Sequence, residues 1–207
     1  QVVAEQVDLP PGYSISWSGQ YEFMKRAIER LSTVVPVTLV IIVLLLYINF
    51  RNLVEVFIIM GTLPLALVGG FWLLYILDYN LSIAVGVGFI ALAGVAVEIG
   101  VVMLVYLNQA LRQHQDKTAV SGAGTGIEQV RAAVIDGALL RVRPIMMTVA
   151  TIIAGLMPIM LGSGAGSEVM RRIAAPMVGG MVSATLLTLV VIPAVFLLWK
   201  QHQVSKP

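Results

Sequence analysis

Five long apolar runs constrain what this sequence can fold into more than any other feature. A helix needs about 20 apolar residues to cross a bilayer, and each run reaches or approaches that length. Only short polar segments separate the first three runs, which makes them antiparallel neighbours. The sequence therefore predicts an all-α membrane protein built as a bundle of five transmembrane helices. The predicted spans cover residues 34–50, 54–77, 83–107, 145–161 and 177–199.

Composition excludes several other classes of protein. Hydrophobic residues make up 58% of the chain and charged residues 12%, with a mean hydropathy of +0.93, whereas soluble domains carry roughly 25% charged residues. The absence of cysteine excludes disulfides and thiolate metal sites. The net charge of +2 is scattered along the chain, which argues against a nucleic-acid partner. No phosphate-binding loop or His cluster occurs, so neither an ATP-driven mechanism nor a resident cofactor is expected.

The polar segments divide the chain into regions. Residues 1–30 are polar and turn-rich, and they predict the end of a water-facing domain followed by an amphipathic surface helix over 21–31. Without a charged-then-apolar leader before the first span, the sequence is expected to be part of a larger polypeptide. The other predicted regions are spans one to three within 31–107, a connector over 108–143 with a surface helix at 127–140, spans four and five within 144–200 with an outer loop at 162–176, and a tail at 201–207.

The distribution of basic residues predicts the orientation. The side of the amino terminus carries five Lys and Arg residues, and the opposite side carries eight. Cytoplasmic segments hold the excess of positive charge, so the carboxyl terminus is predicted to be cytoplasmic.

Glu98 is the most unusual residue in the spans, because it stands nine residues from the later end of the run 83–107. That is roughly 14 Å, near the middle of a hydrocarbon layer about 30 Å thick. A charge there costs at least about 2.5 to 3.5 kcal/mol, so such residues usually face the bundle interior and function. Small residues at 84, 88, 91 and 95 predict a close neighbouring helix that buries Glu98. The alternative is a structural carboxylate with a permanent hydrogen bond.

Arg141 and Thr148 are candidate partners of Glu98. They are seven residues apart and share one helix face if the fourth helix already runs at Arg141. A carboxylate, a hydroxyl and an arginine along one bundle interior would form a proton path. Alternatively, Arg141 snorkels to the membrane edge, and Thr148 bonds back to its own helix.

Methionine is also abundant, with ten in 207 residues. A thioether is a soft ligand that suits monovalent copper, although methionine also fills gaps in apolar cores. Met170 differs from the others because it lies in a glycine-rich polar segment, GSGAGSEVMRR, where no core needs filling. His114 and His202 are better explained as solvated residues than as ligands.

Four motifs carry a family resemblance. They are LPPGYSISWSGQYE, FIALAGVAVEIGVVMLVYLN, LRVRPIMMT and GSGAGSEVMRRIAAPMVGGM. Together they resemble the carboxyl-terminal membrane portion of the resistance-nodulation-division (RND) superfamily. Within it they are most similar to the heavy-metal efflux branch and its Cus-type copper and silver exporters.

The resemblance implies a trimeric pump of the bacterial inner membrane, with a periplasmic adaptor and an outer-membrane channel as partners. The missing amino-terminal part of the pump and membrane lipid are further partners. It implies export of copper(I) or silver(I) driven by inward proton flow. Glu98, Arg141 and Thr148 match relay positions of the superfamily, and Met170 matches a methionine of the Cus-type metal site. The chain would supply half of the transmembrane domain, lacking its first helix, with residues 1–30 and the loop 162–176 on the periplasmic side.

One position departs from the Cus-type pattern. Those pumps have a lysine directly after the proline of RVRP, where this chain has Ile145. Arg141 is then the only basic candidate near Glu98. Two alternatives to copper and silver export stay open, namely export of divalent zinc, cobalt or cadmium by the same architecture, and a membrane scaffold or sensor that transports nothing.

Overall fold

The computed structural model describes residues 19–121 and 127–204, and within these ranges all regular structure is helical. Each of the five helices is long and apolar enough to cross a membrane. The all-α bundle expected from the sequence is therefore confirmed. The helices are α1 (Gln20–Phe50), α2 (Leu53–Ile76), α3 (Ile83–Ser121), α4 (Ile127–Leu161) and α5 (Ser167–Val204).

The chain divides into two compact units, Gln1–Ile41 and Ile42–Pro207. The described part of the first unit is the beginning of α1, where Arg26 pairs with Glu22 one turn away. The predicted surface helix is continuous with the first span, because the helix runs unbroken through Ser32 and Thr33. Their hydroxyls donate to the carbonyl of Glu29, which keeps both polar groups satisfied within the helix. Most of residues 1–30 lies outside the described residues.

Helix α5 is the centre of the second unit and packs against α2, α3 and α4. The core around it consists of large apolar side chains with no more than 1% of their surface exposed. It includes Ile59, Leu92, Met103, Leu104, Leu107, Met181, Ile192 and Phe196.

Small residues bring α2 and α5 into backbone contact. A Cβ at Gly179 would lie 2.5 Å from the carbonyl oxygen of Gly69, so neither position has room for a side chain. The Ser183 hydroxyl in α5 donates to the carbonyl of Ala66 in α2 at 3.0 Å.

Helices α3 and α4 form a long antiparallel hairpin. Its register is given by three contacts, namely His114 with Asp136 at 3.1 Å, Ala110 with Gly137, and Tyr106 with Arg141. The segment predicted as a surface helix at 127–140 is the first part of α4 and is continuous with the fourth span. Val130, Ala133, Val134 and Gly137 on its apolar face are buried, and Gly137 packs against Tyr106 and Leu107 of α3. This face therefore has a protein partner instead of the lipid surface.

The loop before α5 is shorter than the sequence predicts. Helix α5 begins at Ser167, so the connection covers only residues 162–166. Gly164 and Gly166 have φ angles of 146° and 82°, which glycine adopts readily. The Arg171 guanidinium donates to the carbonyl of Gly162 and closes the turn. Met170 therefore lies in the first turn of a helix.

Gly179→Ala tests the backbone contact. The new methyl group would force α2 and α5 apart, and we expect a loss of about 1–3 kcal/mol in unfolding free energy. The matched control is Gly61→Ala in α2, where a Cβ meets nothing within 4 Å. The control should gain a few tenths to about 1 kcal/mol from higher helix propensity. Reversible unfolding in mixed micelles, followed by circular dichroism, measures both, and equal stabilities would contradict the packing described here.

Candidate functional site

Glu98 lies in α3 on the side that faces away from the core. Ala96, Ile99 and Gly100 beside it are buried, whereas Gly94 and Glu98 are exposed. Within the described ranges the Glu98 carboxylate makes neither a hydrogen bond nor an ion pair. The expectation that a neighbouring helix buries Glu98 is therefore wrong for this part of the chain.

The physical reason is the helix period. The small-residue stripe does receive a helix, since Gly88 packs against Ile173 and Pro176 of α5. Glu98 is ten residues further on. Ten residues fall about a quarter turn short of three full turns of an α-helix, so Glu98 and Gly88 lie on different faces. The Glu98 side chain therefore projects beside the contact instead of into it.

Arg141 is held by an aromatic ring. Its guanidinium carbon lies 3.9 Å from the centre of the Tyr106 ring, and its Nε is buried with no hydrogen-bond partner among the described residues. Tyr106 is eight residues beyond Glu98 on α3, about 12 Å along the helix axis. The structure therefore does not bring Arg141 to Glu98.

Thr148 is exposed on α4, and its hydroxyl donates to the carbonyl of Pro144 at 3.0 Å. This is the alternative in which a threonine bonds back to its own helix. The antiparallel register of the hairpin nevertheless places Thr148 level with Glu98. Thr148 is seven residues beyond Arg141 on α4, and Glu98 is eight residues before Tyr106 on the antiparallel α3. Starting from the contact between Arg141 and Tyr106, both therefore lie at nearly the same distance along the hairpin. The two residues thus share one depth, but the Thr148 hydroxyl donates to Pro144 and no hydrogen bond joins it to Glu98 in the described part of the chain.

Ile145 is buried and belongs to the apolar core. A charged side chain at this position would have to leave the core to meet Glu98. At the position where the chain departs from the Cus-type pattern, Ile145 is therefore a packing residue of the core.

Met170 lies at the surface, with 56% of its area exposed. The same turn carries the ion pair between Glu168 and Arg172, at 3.0 Å. No group of three or more His, Asp or Glu residues that could hold a metal ion occurs among the described residues. Met170 is accessible to a soft cation, and further ligands have to come from outside this part of the chain.

A buried carboxylate that the sequence reasoning missed lies at the other end of the bundle. Glu55 is only 5% exposed, and its Oε2 accepts a hydrogen bond from the Asn108 amide at 2.8 Å. It borders a polar cleft of about 580 Å³ whose lining includes Arg112 and Lys200. Acidic residues are common in the first turn of a helix, where the helix dipole favours them, so the sequence position alone gives no sign of burial.

Substitutions at Tyr106 test the contact with Arg141. Tyr106→Leu removes the ring, and we expect a loss of about 0.5–2 kcal/mol in unfolding free energy, the range of a partly desolvated cation–π contact. Tyr106→Phe keeps the ring and is the matched control, so it should stay close to the parent protein. Chemical denaturation in micelles distinguishes the two, and equal losses in both variants would show that the ring face is not what holds Arg141.

Comparison with known proteins assigns the chain to a family. The sequence model described as the AcrB/AcrD/AcrF family matches residues 1–200. The chain is 52% identical over its full length to the cation efflux system protein CusA of Escherichia coli (strain K12), covering 20% of that protein. It is 50% identical over 98% of its length to the putative cation efflux system protein SilA of Salmonella typhimurium, covering 19% of it.

Similarity extends to other metal-resistance proteins and to a solved structure. The cobalt-zinc-cadmium resistance protein CzcA of Cupriavidus metallidurans is 38% identical over 94% of the chain, which spans 17% of that relative. The crystal structure of a heavy metal efflux pump superposes with a TM-score of 0.74 and 34% identity, covering 96% of this chain and 18% of the pump. These matches confirm the resemblance to heavy-metal RND pumps. The chain spans about one-fifth of the length of the relatives it matches.

Proposed function

The chain belongs to the AcrB/AcrD/AcrF family, and from this premise we propose that it is the membrane segment of a pump that exports copper(I) or silver(I) in exchange for protons. The family and the five apolar helices make it part of a multi-pass membrane transporter. The observation that carries the proposed proton coupling is Glu98, a carboxylate at mid-depth in an otherwise apolar part of α3.

The position of Glu98 on an unpacked face supports its role. A charge facing lipid at this depth costs at least about 2.5 to 3.5 kcal/mol, so a further part of the pump has to cover it. A carboxylate between two protein halves can bind a proton from one side and release it to the other. The chain forms only about one-fifth of its relatives' length, which leaves ample protein to supply the covering helices.

Thr148 and Arg141 would complete the relay. Thr148 shares the depth of Glu98, and its hydroxyl would pass a proton to the carboxylate when it exchanges its bond to Pro144. Arg141 has a buried Nε without a partner, so it has an unused donor. In one state of the pump it would stay on Tyr106, and in another its guanidinium would stabilise the charged form of Glu98.

Met170 would be one ligand of the transported ion. An uncharged sulfur prefers soft monovalent ions, and the exposed first turn of α5 gives the ion access. The second candidate is export of divalent ions, which the exposed carboxylate of Glu168 two residues away and the similarity to CzcA favour. Hard or borderline cations would select this oxygen over the thioether.

The remaining proposals follow from the family. The pump would work as a homotrimer in the bacterial inner membrane, with a periplasmic adaptor and an outer-membrane channel. Residues 1–30 and the turn before α5 would face the periplasm, and the carboxyl terminus would be cytoplasmic.

Glu98→Gln in the full-length pump tests the relay. We expect proton flux coupled to copper(I) or silver(I) in proteoliposomes to fall to the level of protein-free liposomes, because Gln keeps the shape but binds no proton. Glu128→Gln, an exposed change at the start of α4, is the matched control and should retain the flux. Unchanged flux in Glu98→Gln would refute the relay, and a parent protein without any flux would favour a scaffold or sensor.

Met170→Leu tests the metal ligand. We expect at least about tenfold weaker binding of silver(I) by the full-length pump, about 1.4 kcal/mol, because the sulfur is replaced by a methyl group. Met147→Leu, at an equally exposed position on α4, serves as the control. Isothermal titration calorimetry gives both affinities. Tight zinc binding that depends on Glu168 and ignores Met170→Leu would assign the site to divalent ions instead.

A further inference from the structure

The cleft beside Glu55 has a composition unlike the rest of this apolar chain. We call it the Glu55 cleft and define it by its polar lining, which comprises Asn49, Glu55, Asn108, Gln109, Arg112, Gln115 and Lys200. These residues come from the end of α1, the start of α2, the middle of α3 and the end of α5, all within the unit Ile42–Pro207. Its volume of about 580 Å³ has room for a group much larger than water.

Helix capping does not explain Glu55. The cap of α2 is Asn52, whose side chain accepts from the backbone N–H of Val54 at 3.1 Å. Glu55 turns instead to α3, where the Asn108 amide is its sole hydrogen-bond partner among residues 19–121 and 127–204. One oxygen of Glu55, a residue only 5% exposed, is thus fixed, and the other is left for a donor that the described chain does not supply.

Two cations share the cleft with Glu55 without neutralising it by contact. Lys200 and Arg112 line the same cleft as Glu55. However, no nitrogen of either lies within 4.0 Å of its carboxylate in the described residues. The Lys200 ammonium instead lies 4.3 Å from the centre of the Trp199 ring. The cleft therefore presents one negative and two positive groups that are held apart.

The depth of the cleft indicates what enters it. Helix α1 ends at Phe50, α2 begins at Leu53, and the apolar parts of α3 and α5 end at Leu107 and Trp199. The cleft thus lies where the hydrocarbon layer gives way to headgroups, the level at which Trp and Lys side chains are enriched. Phospholipid headgroups are the zwitterionic groups present at this depth.

We propose that the Glu55 cleft binds the headgroup of a phospholipid that carries both a primary ammonium and a phosphate. The ammonium donates to the free oxygen of Glu55, and the phosphate lies between Arg112 and Lys200. An ethanolamine headgroup has this pair of charges. A choline headgroup has the same charges but no N–H donor, so it cannot satisfy the buried carboxylate.

The test compares ethanolamine and choline phospholipids with identical acyl chains. Full-length protein is delipidated in mild detergent, mixed with both lipids, and examined by native mass spectrometry. We expect retention of the ethanolamine lipid at least about fivefold above the choline lipid. Equal retention of the two would overturn the proposal.

Two sets of variants assign the preference to the cleft. Glu55→Gln keeps an oxygen that accepts from Asn108 but removes the charge, so the preference should fall to near one. Arg112→Gln combined with Lys200→Gln should weaken retention of both lipids alike. Glu128→Gln and Arg143→Gln, at exposed positions on α4, are the matched controls and should retain the preference.

The variants and a soluble competitor give the outcomes that would refute headgroup binding in the Glu55 cleft. An unchanged preference in Glu55→Gln overturns it. If that variant does not fold by circular dichroism, unchanged lipid retention in the double arginine–lysine variant overturns it as well. Free phosphoethanolamine should displace the ethanolamine lipid at millimolar concentration. Tight binding of free phosphoethanolamine without any lipid preference would assign the cleft to a soluble ligand instead.

Discussion

Direct backbone contact between α2 and α5 is the interaction on which the rest of the bundle depends. Lipid tails are as apolar as leucine, so helices in a bilayer gain little from hiding hydrophobic side chains and associate by close packing. Gly69 and Gly179 allow the two backbones to touch, and the Ser183 hydroxyl joins them. This contact makes α5 the central helix, and α3 and α4 pack around it.

The placement of carboxylates follows from this packing. Glu55 is buried because α2 and α3 meet at the end of the bundle, where Asn108 donates to one of its oxygens. Glu98 is exposed because the contact between α3 and α5 uses a different face of the same helix. A carboxylate held by a hydrogen bond at the wall of a cleft suits a fixed binding site, whereas one on an open face suits a group that a moving partner covers and uncovers.

The surroundings of Arg141 are compatible with the proposed relay, in which this residue would have more than one position. Its guanidinium is stabilised by Tyr106, yet its Nε is buried without a partner. A buried donor without an acceptor costs about 1–3 kcal/mol. This cost destabilises the present arrangement relative to one in which Arg141 reaches a carboxylate. In the proposed relay, the α3–α4 hairpin would hold the arginine in a state that a partner helix could shift.

The sequence by itself determined the class of fold, the five helices and the family. These follow from local properties, because the length of an apolar run and the order of motifs do not depend on which face of a helix is covered. Only the tertiary structure decided which polar residues meet. Glu55 has an ordinary sequence position but is buried, and Glu98 has a conspicuous one but stays open, because burial depends on the rotation of α3 about its axis against α2 and α5. The continuity of α4 ahead of its predicted span has the same cause, since Gly137 packs against Tyr106 and Leu107 of α3, a contact that no sequence pattern specifies.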